Sequence, residues 1–326
     1  MLILSESDVK KAIDMRGAIE SDREAFVIQA EGKAELSVRT SFNVAGRGRS
    51  SFMPAYVSAF PLAGAKIVST FSGNMEKNLP VVCATVLLLD PETGMVNAII
   101  DGTELTRMRT GAVSGLATEL LSNEDAEAGA LFGVGGQALS QLEAVLTVRK
   151  LREVRIFDKF EDRIAPFVEL ATPVAERLGA RLKIAASSDE AIDQADVITT
   201  VTTTTDPVFD GSRVKLGAHV NGVGTYEPHK RELDENIIRR ADRIFIDNME
   251  AIMAEAGDLL IPMSEGKIDR DAIAGELGDL ILGRVKGRTS KDQITVMKTV
   301  GFATLDIVIA HHIYDKAAEM GIGIRL

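Results

Sequence analysis

From Ala128 onward, short apolar β-like runs alternate with segments of helical periodicity, and this alternation constrains the fold more than any other feature of the 326-residue chain. The runs "GALFG", "EVRIFD", "RLKIA", "ADVITTV", "AHVNGVG" and "DRIFIDN" carry the signature of a parallel sheet wrapped by helices. The predicted fold class is α/β. Upstream the texture differs. A helix with an apolar face is expected from about Met15 to Ala30, and "GAKIVSTF" and "VVCATVLLLD" read as strands. The turn "DPETG", Asp90 to Gly94, sends the second of these back into "MVNAII", so an antiparallel hairpin is expected. Thr106 is placed to cap a helix whose one face carries Arg109, Ala112, Val113 and Leu116. The segment from Gly301 to Gly321 reads as one helix, with Phe302, Leu305, Ile309 and Ile313 at helical spacing, and is expected to return to the first domain. Single cores rarely outgrow about 250 to 300 residues, so two domains are expected.

Charge narrows what the chain binds. A net charge of -11 opposes a phosphate backbone, and the basic residues are scattered rather than striped, so no nucleic-acid partner is expected. No apolar run approaches the roughly 18 to 20 residues of a membrane span, and no membrane partner is expected. The N-terminal "MLILSESDVKKAIDM" lacks a basic region and a small-residue cleavage site, which makes the cytoplasm the default location. The lone cysteine, Cys83, lies among apolar neighbours and reads as an inert core thiol. His219, His229, His311 and His312 show no zinc-binding spacing, so no metal site is expected.

"GALFGVGGQA" puts a strand directly before Gly133-Val134-Gly135-Gly136-Gln137-Ala138, which fits G-x-G-x-x-A, and a helix directly after it. Gly133 permits the tight turn, Gly135 lets the backbone approach a pyrophosphate, and Ala138 keeps the helix close to the strand, with Gly136 counted in the same coenzyme-binding set. Gln137 opens that helix, whose positive end then faces the phosphates. The next strand, "VRIF", ends at Asp158, where a carboxylate accepts hydrogen bonds from the adenosine ribose and repels a 2'-phosphate. NAD is therefore the expected cofactor, with NADH preferred over NADPH. Thr202 and Thr203, in "TTVTTTTDP", follow the strand "ADVI" and are expected to line the same crevice, although a threonine run is equally a plain strand-end turn.

With these pieces placed, the chain resembles the ornithine cyclodeaminase and mu-crystallin family along essentially its whole length. The resemblance is carried, in order, by "SVRT", "FMPAY", "GAKIVSTFSGN", "DPETG", "LTRMRTGAVSGLA", "GVGGQA", "VGTYEPHKRELD" and "MKTVGFATLDIVIAHHIYDKAAEMGIG". It implies a homodimer in which residues 1–124 and 302–326 form a substrate-binding and dimerisation domain. A Rossmann-type dinucleotide-binding domain, residues 125–301, is inserted into it. It further implies that Arg39, Lys66 and Arg109 surround the α-carboxylate of the substrate and carry the catalysis. Lys66 has independent weight, because it interrupts an apolar strand and a buried ammonium needs a partner. The same resemblance adds Met53 and Tyr226 to the substrate set, and Thr110, Val223, Gly224, Lys298 and Val300 to the coenzyme set.

One departure decides the expected activity. Members that expel ammonia from ornithine carry an aspartate two residues before the proline of "VGTYEPHKRELD", and here Tyr226 stands there, with Glu227 adjacent. A neutral phenol, with an unperturbed pKa near 10, does not hold a distal ammonium as a carboxylate does. The resemblance then implies a ketimine reductase acting on cyclic or linear α-imino acids such as Δ1-pyrroline-2-carboxylate, producing L-proline. Two other readings stay open at this level: a cyclodeaminase or alanine-type dehydrogenase releasing ammonia, and a non-enzymatic small-molecule-binding protein.

Overall fold

The structure, a computed structural model, describes residues 1–37, 39–77 and 79–326; Val38 of the "SVRT" block and Asn78 lie outside them. In chain order the elements begin with β1 (Leu2–Leu4), α1 (Glu6–Ala12), α2 (Met15–Ala30), β2 (Ala34–Leu36), β3 (Thr40–Val44), β4 (Gly48–Val57) and β5 (Leu62–Thr70). β6 (Val82–Leu89) and β7 (Val96–Asp101) lead into the long helix α3 (Gly102–Leu121). Then come β8 (Ala128–Phe132), α4 (Ala138–Val148), β9 (Glu153–Phe157), α5 (Ile164–Arg177), β10 (Arg181–Ile184), α6 (Ser188–Ile192), β11 (Val197–Thr200) and β12 (His219–Gly222). α7 (Glu235–Arg240), β13 (Arg243–Ile246), α8 (Met249–Glu255), α9 (Gly257–Ser264), β14 (Ile273–Glu276), α10 (Leu277–Ile281) and β15 (Thr295–Lys298) follow. The chain closes with α11 (Ala303–Met320) and β16 (Ile324–Arg325).

These elements form two compact units, Met1–Arg109 with Phe302–Leu326, and Thr110–Gly301. The division falls inside α3 and not at residue 124, where the sequence reading put it. The reason is local, since the second half of α3 is tied to the second unit. The Thr110 carbonyl accepts from Gln141 Nε2 at 3.0 Å, and Thr118 Oγ1 accepts from Asn221 Nδ2 at 3.0 Å. Arg149 and Arg288 donate to the Glu119, Ser122 and Leu121 carbonyls, satisfying acceptors that a helix C-terminus leaves unpaired.

In the first unit the strands run β16-β1-β7-β6-β5-β4-β2, with β3 pairing on β4. β6 and β7 pair antiparallel, the expected hairpin. Side chains alternate across a strand, so on β4 Met53, Ala55 and Val57 are buried while Phe52, Pro54 and Tyr56 are exposed. α11 packs on the inner face of β4, β5 and β6 and against α2. Its C-terminus is closed by Gly321 in the left-handed conformation, φ 66°. Two sequence expectations need correction here. Thr106 lies within α3 rather than capping it, because Asp101 at the end of β7 already takes the Glu104 N–H at 2.8 Å and starts the helix earlier. Cys83 is half-buried, with its thiol donating to the Pro80 carbonyl at 3.2 Å, and is not in the core.

In the second unit every strand pair is parallel, in the order β10-β9-β8-β11-β12-β15-β13-β14. The sequence reading missed β14 and β15, whose four-residue stretches, IAGE and TVMK, are too short and too mixed in polarity to stand out as strands. β8 leads outward to β9 and β10 on one side, and the chain then returns to lay β11 and β12 on the other. The order therefore reverses between β8 and β11, which opens a crevice at the carboxyl ends of those strands.

Candidate active site

Lys66 sits on β5 in register with Met53 of β4 and Val86 of β6, and the period of two turns all three inward toward α11. There its ammonium donates to Asp306 Oδ1 at 2.6 Å, with the lysine side chain 1% and the aspartate 0% exposed. Arg109, on α3, donates from Nε to the same Oδ1 at 3.0 Å. Arg39 completes the group, since its charge acts on Lys66. Burial pushes the Lys66 ammonium down to about 7, a shift that Asp306 opposes and Arg109 and Arg39 reinforce. The first unit thus brings together Arg39, Lys66, Arg109 and Met53.

Two acids that the sequence reading missed complete the cluster. Asp306 lies four residues after Phe302 and three before Ile309, on the apolar stripe of α11, and Asp22 lies likewise between Ile19 and Phe26 on α2. The signal was available. A carboxylate on the buried face of a helix needs a buried cation, the same reasoning that singled out Lys66. Asp22 is fully buried, and neither of its carboxyl oxygens has a hydrogen-bond partner. Burial holds its carboxyl well above the usual range; Arg109 pulls the other way and Asp306 adds to the rise. Lys66 and Arg109 thus share one carboxylate oxygen of Asp306, with the charge of Arg39 acting on the same lysine and burial disfavouring a charge on Asp22.

Asp22 gives a prediction with a definite sign. Below the ordinary carboxylate range the group is protonated in both folded and unfolded chains, and its contribution to stability is intact. As pH rises, the unfolded chain releases this proton while the folded one retains it, so stability is lost up to the raised folded pKa. Asp22→Asn is therefore expected to be more stable than the parent at about pH 7, with the gap closing toward about pH 4. Urea unfolding of both proteins at the two pH values measures it; a variant less stable by the same margin at both would contradict the assignment.

The second unit carries the glycine loop. Gly133 adopts φ 96°, and a Cβ there would lie 2.8 Å from the Val201 carbonyl oxygen, so both conformation and space demand glycine. Around a Cβ built on Gly135 or Gly136 there is nothing within 4 Å, the open cradle a pyrophosphate requires. Ala138 is fully buried at the start of α4. Gln137, its N-cap, makes no side-chain cap, and its Oε1 is buried without a partner, so the helix start keeps donors for an incoming anion. Asp158 is pinned to the loop, accepting from Val134 N–H at 3.0 Å and Phe160 N–H at 2.9 Å. These residues fit a dinucleotide.

The other candidates are placed less uniformly. Thr202 is engaged through its N–H and hydroxyl by Glu232, and Thr203 is exposed beside it. Val223 N–H donates to the Thr200 carbonyl and Gly224 N–H to Glu232, while Val300 N–H donates to Asp247 at 2.8 Å. Lys298 is fully buried, and its ammonium donates to Asp258 and to the Thr225 carbonyl, both at 2.7 Å, so its charge is already matched inside the unit. Tyr226 packs against the apolar core of this unit, and Glu227 pairs with Lys230 at 2.5 Å. His219 is structural: its ring nitrogens meet Thr295 Oγ1 and Asn221 Oδ1, and burial, with Arg288 nearby, pushes its pKa down to about 3. Among the described residues no group of His, Cys, Asp and Glu is arranged to hold a metal ion, and no helix is long and apolar enough to cross a membrane.

Comparison with known proteins shows the family of the chain. The profile of the ornithine cyclodeaminase/mu-crystallin family matches residues 1–321. The chain is similar to a Delta(1)-pyrroline-2-carboxylate reductase of Bacillus cereus, 33% identical over 327 residues that cover 100% of this chain and 99% of that protein. It also superposes on the solved structure of Thermococcus litoralis Delta(1)-pyrroline-2-carboxylate reductase in complex with NADH and L-proline, with TM-score 0.95, 37% identity and 100% of both chains covered. An archaeal alanine dehydrogenase dimer with bound NAD is similar at TM-score 0.92 and 31% identity, covering 100% of this chain and 98% of that one.

Proposed function

The chain belongs to the ornithine cyclodeaminase/mu-crystallin family, and on that premise we propose that it is an NADH-dependent reductase of α-imino acids, with Δ1-pyrroline-2-carboxylate as a substrate and L-proline as its product. The observation that carries this reading is the buried cluster of two cationic side chains, Lys66 and Arg109, on a shared Asp306 oxygen, a pair suited to a carboxylate. A non-enzymatic binding role has no need of a lysine held at about 7.

Each residue has a task. Arg109 spends its Nε on Asp306, and the remaining donors of its planar fork, with those of Arg39, suit the substrate carboxylate. Asp306 fixes both Lys66 and Arg109, so their positions are set before substrate arrives. Lys66, balanced between its charged and neutral forms near pH 7, holds at Nζ the proton that the imine nitrogen needs as the bond is reduced. Gly133, Gly135 and Gly136 accommodate the pyrophosphate, Gln137 and Ala138 open the helix that faces it, and Asp158 takes the ribose hydroxyls. Bound there, the nicotinamide coenzyme supplies the hydride.

The proposed assembly is a homodimer. Phe52, Pro54 and Tyr56 form an exposed apolar row on the outer face of β4, Phe42 stacks on Phe52 at 5.9 Å between ring centroids, and such patches mark interaction surfaces. The similar alanine dehydrogenase was solved as a dimer.

Five-membered, six-membered and linear imino acids, each assayed with NADH and NADPH, test the activity, and sedimentation tests the dimer. The expected result is NADH oxidation with a cyclic imine, and in reverse L-proline oxidation without ammonia release. Ammonia release from L-alanine with no turnover of cyclic imines would turn the reading to an alanine-type dehydrogenase, the second activity among similar structures. NADPH used far better than NADH would remove the role given to Asp158.

A further inference from the structure

At the carboxyl edge of the parallel sheet lies a network of buried acids that the reaction itself does not use. Glu232, fully buried, accepts from Thr202 N–H at 2.5 Å, from Thr202 Oγ1 at 2.8 Å and from Gly224 N–H at 2.6 Å. Its own N–H donates to Asp258 Oδ1 at 2.6 Å, and the N–H of Leu233 donates to the same oxygen at 2.8 Å. Asp258 Oδ2 takes the Thr225 hydroxyl at 2.6 Å and the Lys298 ammonium at 2.7 Å. Thr202 follows β11, Gly224 and Thr225 follow β12, and Lys298 ends β15. Turns from neighbouring parallel strands are thereby bound to one another through Glu232, which precedes α7, and Asp258 of α9, both outside the sheet.

The geometry leaves little slack. A Cβ on Gly224 would fall 2.1 Å from the Thr202 carbonyl oxygen, so the two turns touch along their backbones. Thr202 in turn borders the glycine loop, its Cγ2 lying 2.9 Å from a Cβ built on Gly133. Strand-end turns are otherwise the mobile part of such a sheet, and they line the crevice in which a dinucleotide lies. From this arrangement we infer that Glu232 is a positioning residue for the coenzyme: by holding the Thr202 and Gly224 turns together it fixes the wall of the crevice beside the glycine loop. The hydroxyl of Thr202 is accordingly part of the wall's internal bracing. This inference rests on the coenzyme reading above and adds to it a residue that touches neither coenzyme nor substrate.

Glu232→Gln is the test, because the amide keeps the shape yet sets an N–H₂ group against one of the two backbone donors. Titration of the full-length protein with NADH, read by nicotinamide fluorescence, is expected to show a dissociation constant raised about tenfold. The KM for the imino acid at saturating NADH should stay within about twofold, since Lys66, Arg109 and Asp306 belong to the other unit. Thr202→Val, which deletes only the hydroxyl bond, should shift NADH affinity in the same direction by a smaller factor. It carries the test alone if Glu232→Gln does not fold. A lowered melting temperature with unchanged NADH affinity in either folded variant would reduce Glu232 to a structural role and overturn the inference. Failure of the unmodified protein to bind NADH or NADPH would instead sink the coenzyme reading itself.

Discussion

Lys66→Met is expected to lower kcat/KM for imine reduction by about 10² to 10⁴, the usual span for removing a positioned proton donor. Methionine fills the volume of the lysine stem on the inner face of β5 and leaves Asp306 its second partner, Arg109, so the fold is not left with an unpaired carboxylate. What disappears is the proton at Nζ and one positive charge beside the substrate carboxylate. The pH dependence separates this from a packing defect. In the parent enzyme the group titrates at about 7, so kcat/KM for imine reduction should fall as pH rises past that value, while L-proline oxidation, which needs the neutral amine, should rise through it. In the variant both limbs should flatten. A methionine variant that retained either limb would move the titrating group elsewhere.

Asp306→Asn is expected to have the largest effect on stability. Lys66 and Arg109 share Oδ1 of this carboxylate at 2.6 and 3.0 Å, with all three side chains buried. Removing one partner of a buried ion pair while leaving the other, here Arg109, charged typically costs about 3 to 5 kcal/mol, far more than the pair contributes against an apolar replacement. The asparagine also deletes the main influence holding a proton on Lys66, so its pKa should fall further and the alkaline limb of imine reduction should shift to lower pH. Urea unfolding reads the first effect and the pH profile of kcat/KM the second. A variant as stable as the parent, with the limb unmoved, would mean that Asp306 does not organise the cations.

Much of this was legible in the chain wherever the physics is local. The glycine loop needs φ above zero and a bare Cα at Gly133, which only glycine provides, while glycine at 135 and 136 keeps the space beside the helix start open, so the motif and its geometry coincide. Helix α2 spans the residues its periodicity predicts, and the turn at Asp90 to Gly94 returns β6 into β7. The start of α3 is not legible in the same way, because Asp101 and Thr106 are both capping residue types. The choice between them depends on where the preceding strand ends.

Composition and periodicity pointed to an α/β chain with a dinucleotide loop, because these follow from neighbours within a few positions, whereas Arg39, Lys66 and Arg109 were assigned to a carboxylate only through the resemblance to a family. Which charges meet is another matter. Asp306 is 240 residues from Lys66 and 197 from Arg109 along the chain, and their shared oxygen exists only because α11 packs on the inner face of β5. Packing alone also buries Asp22 without a partner and sets Glu232 between two turns. A charge removed from water changes its pKa and its worth according to what surrounds it in space, and that surrounding is assembled only by the folded chain.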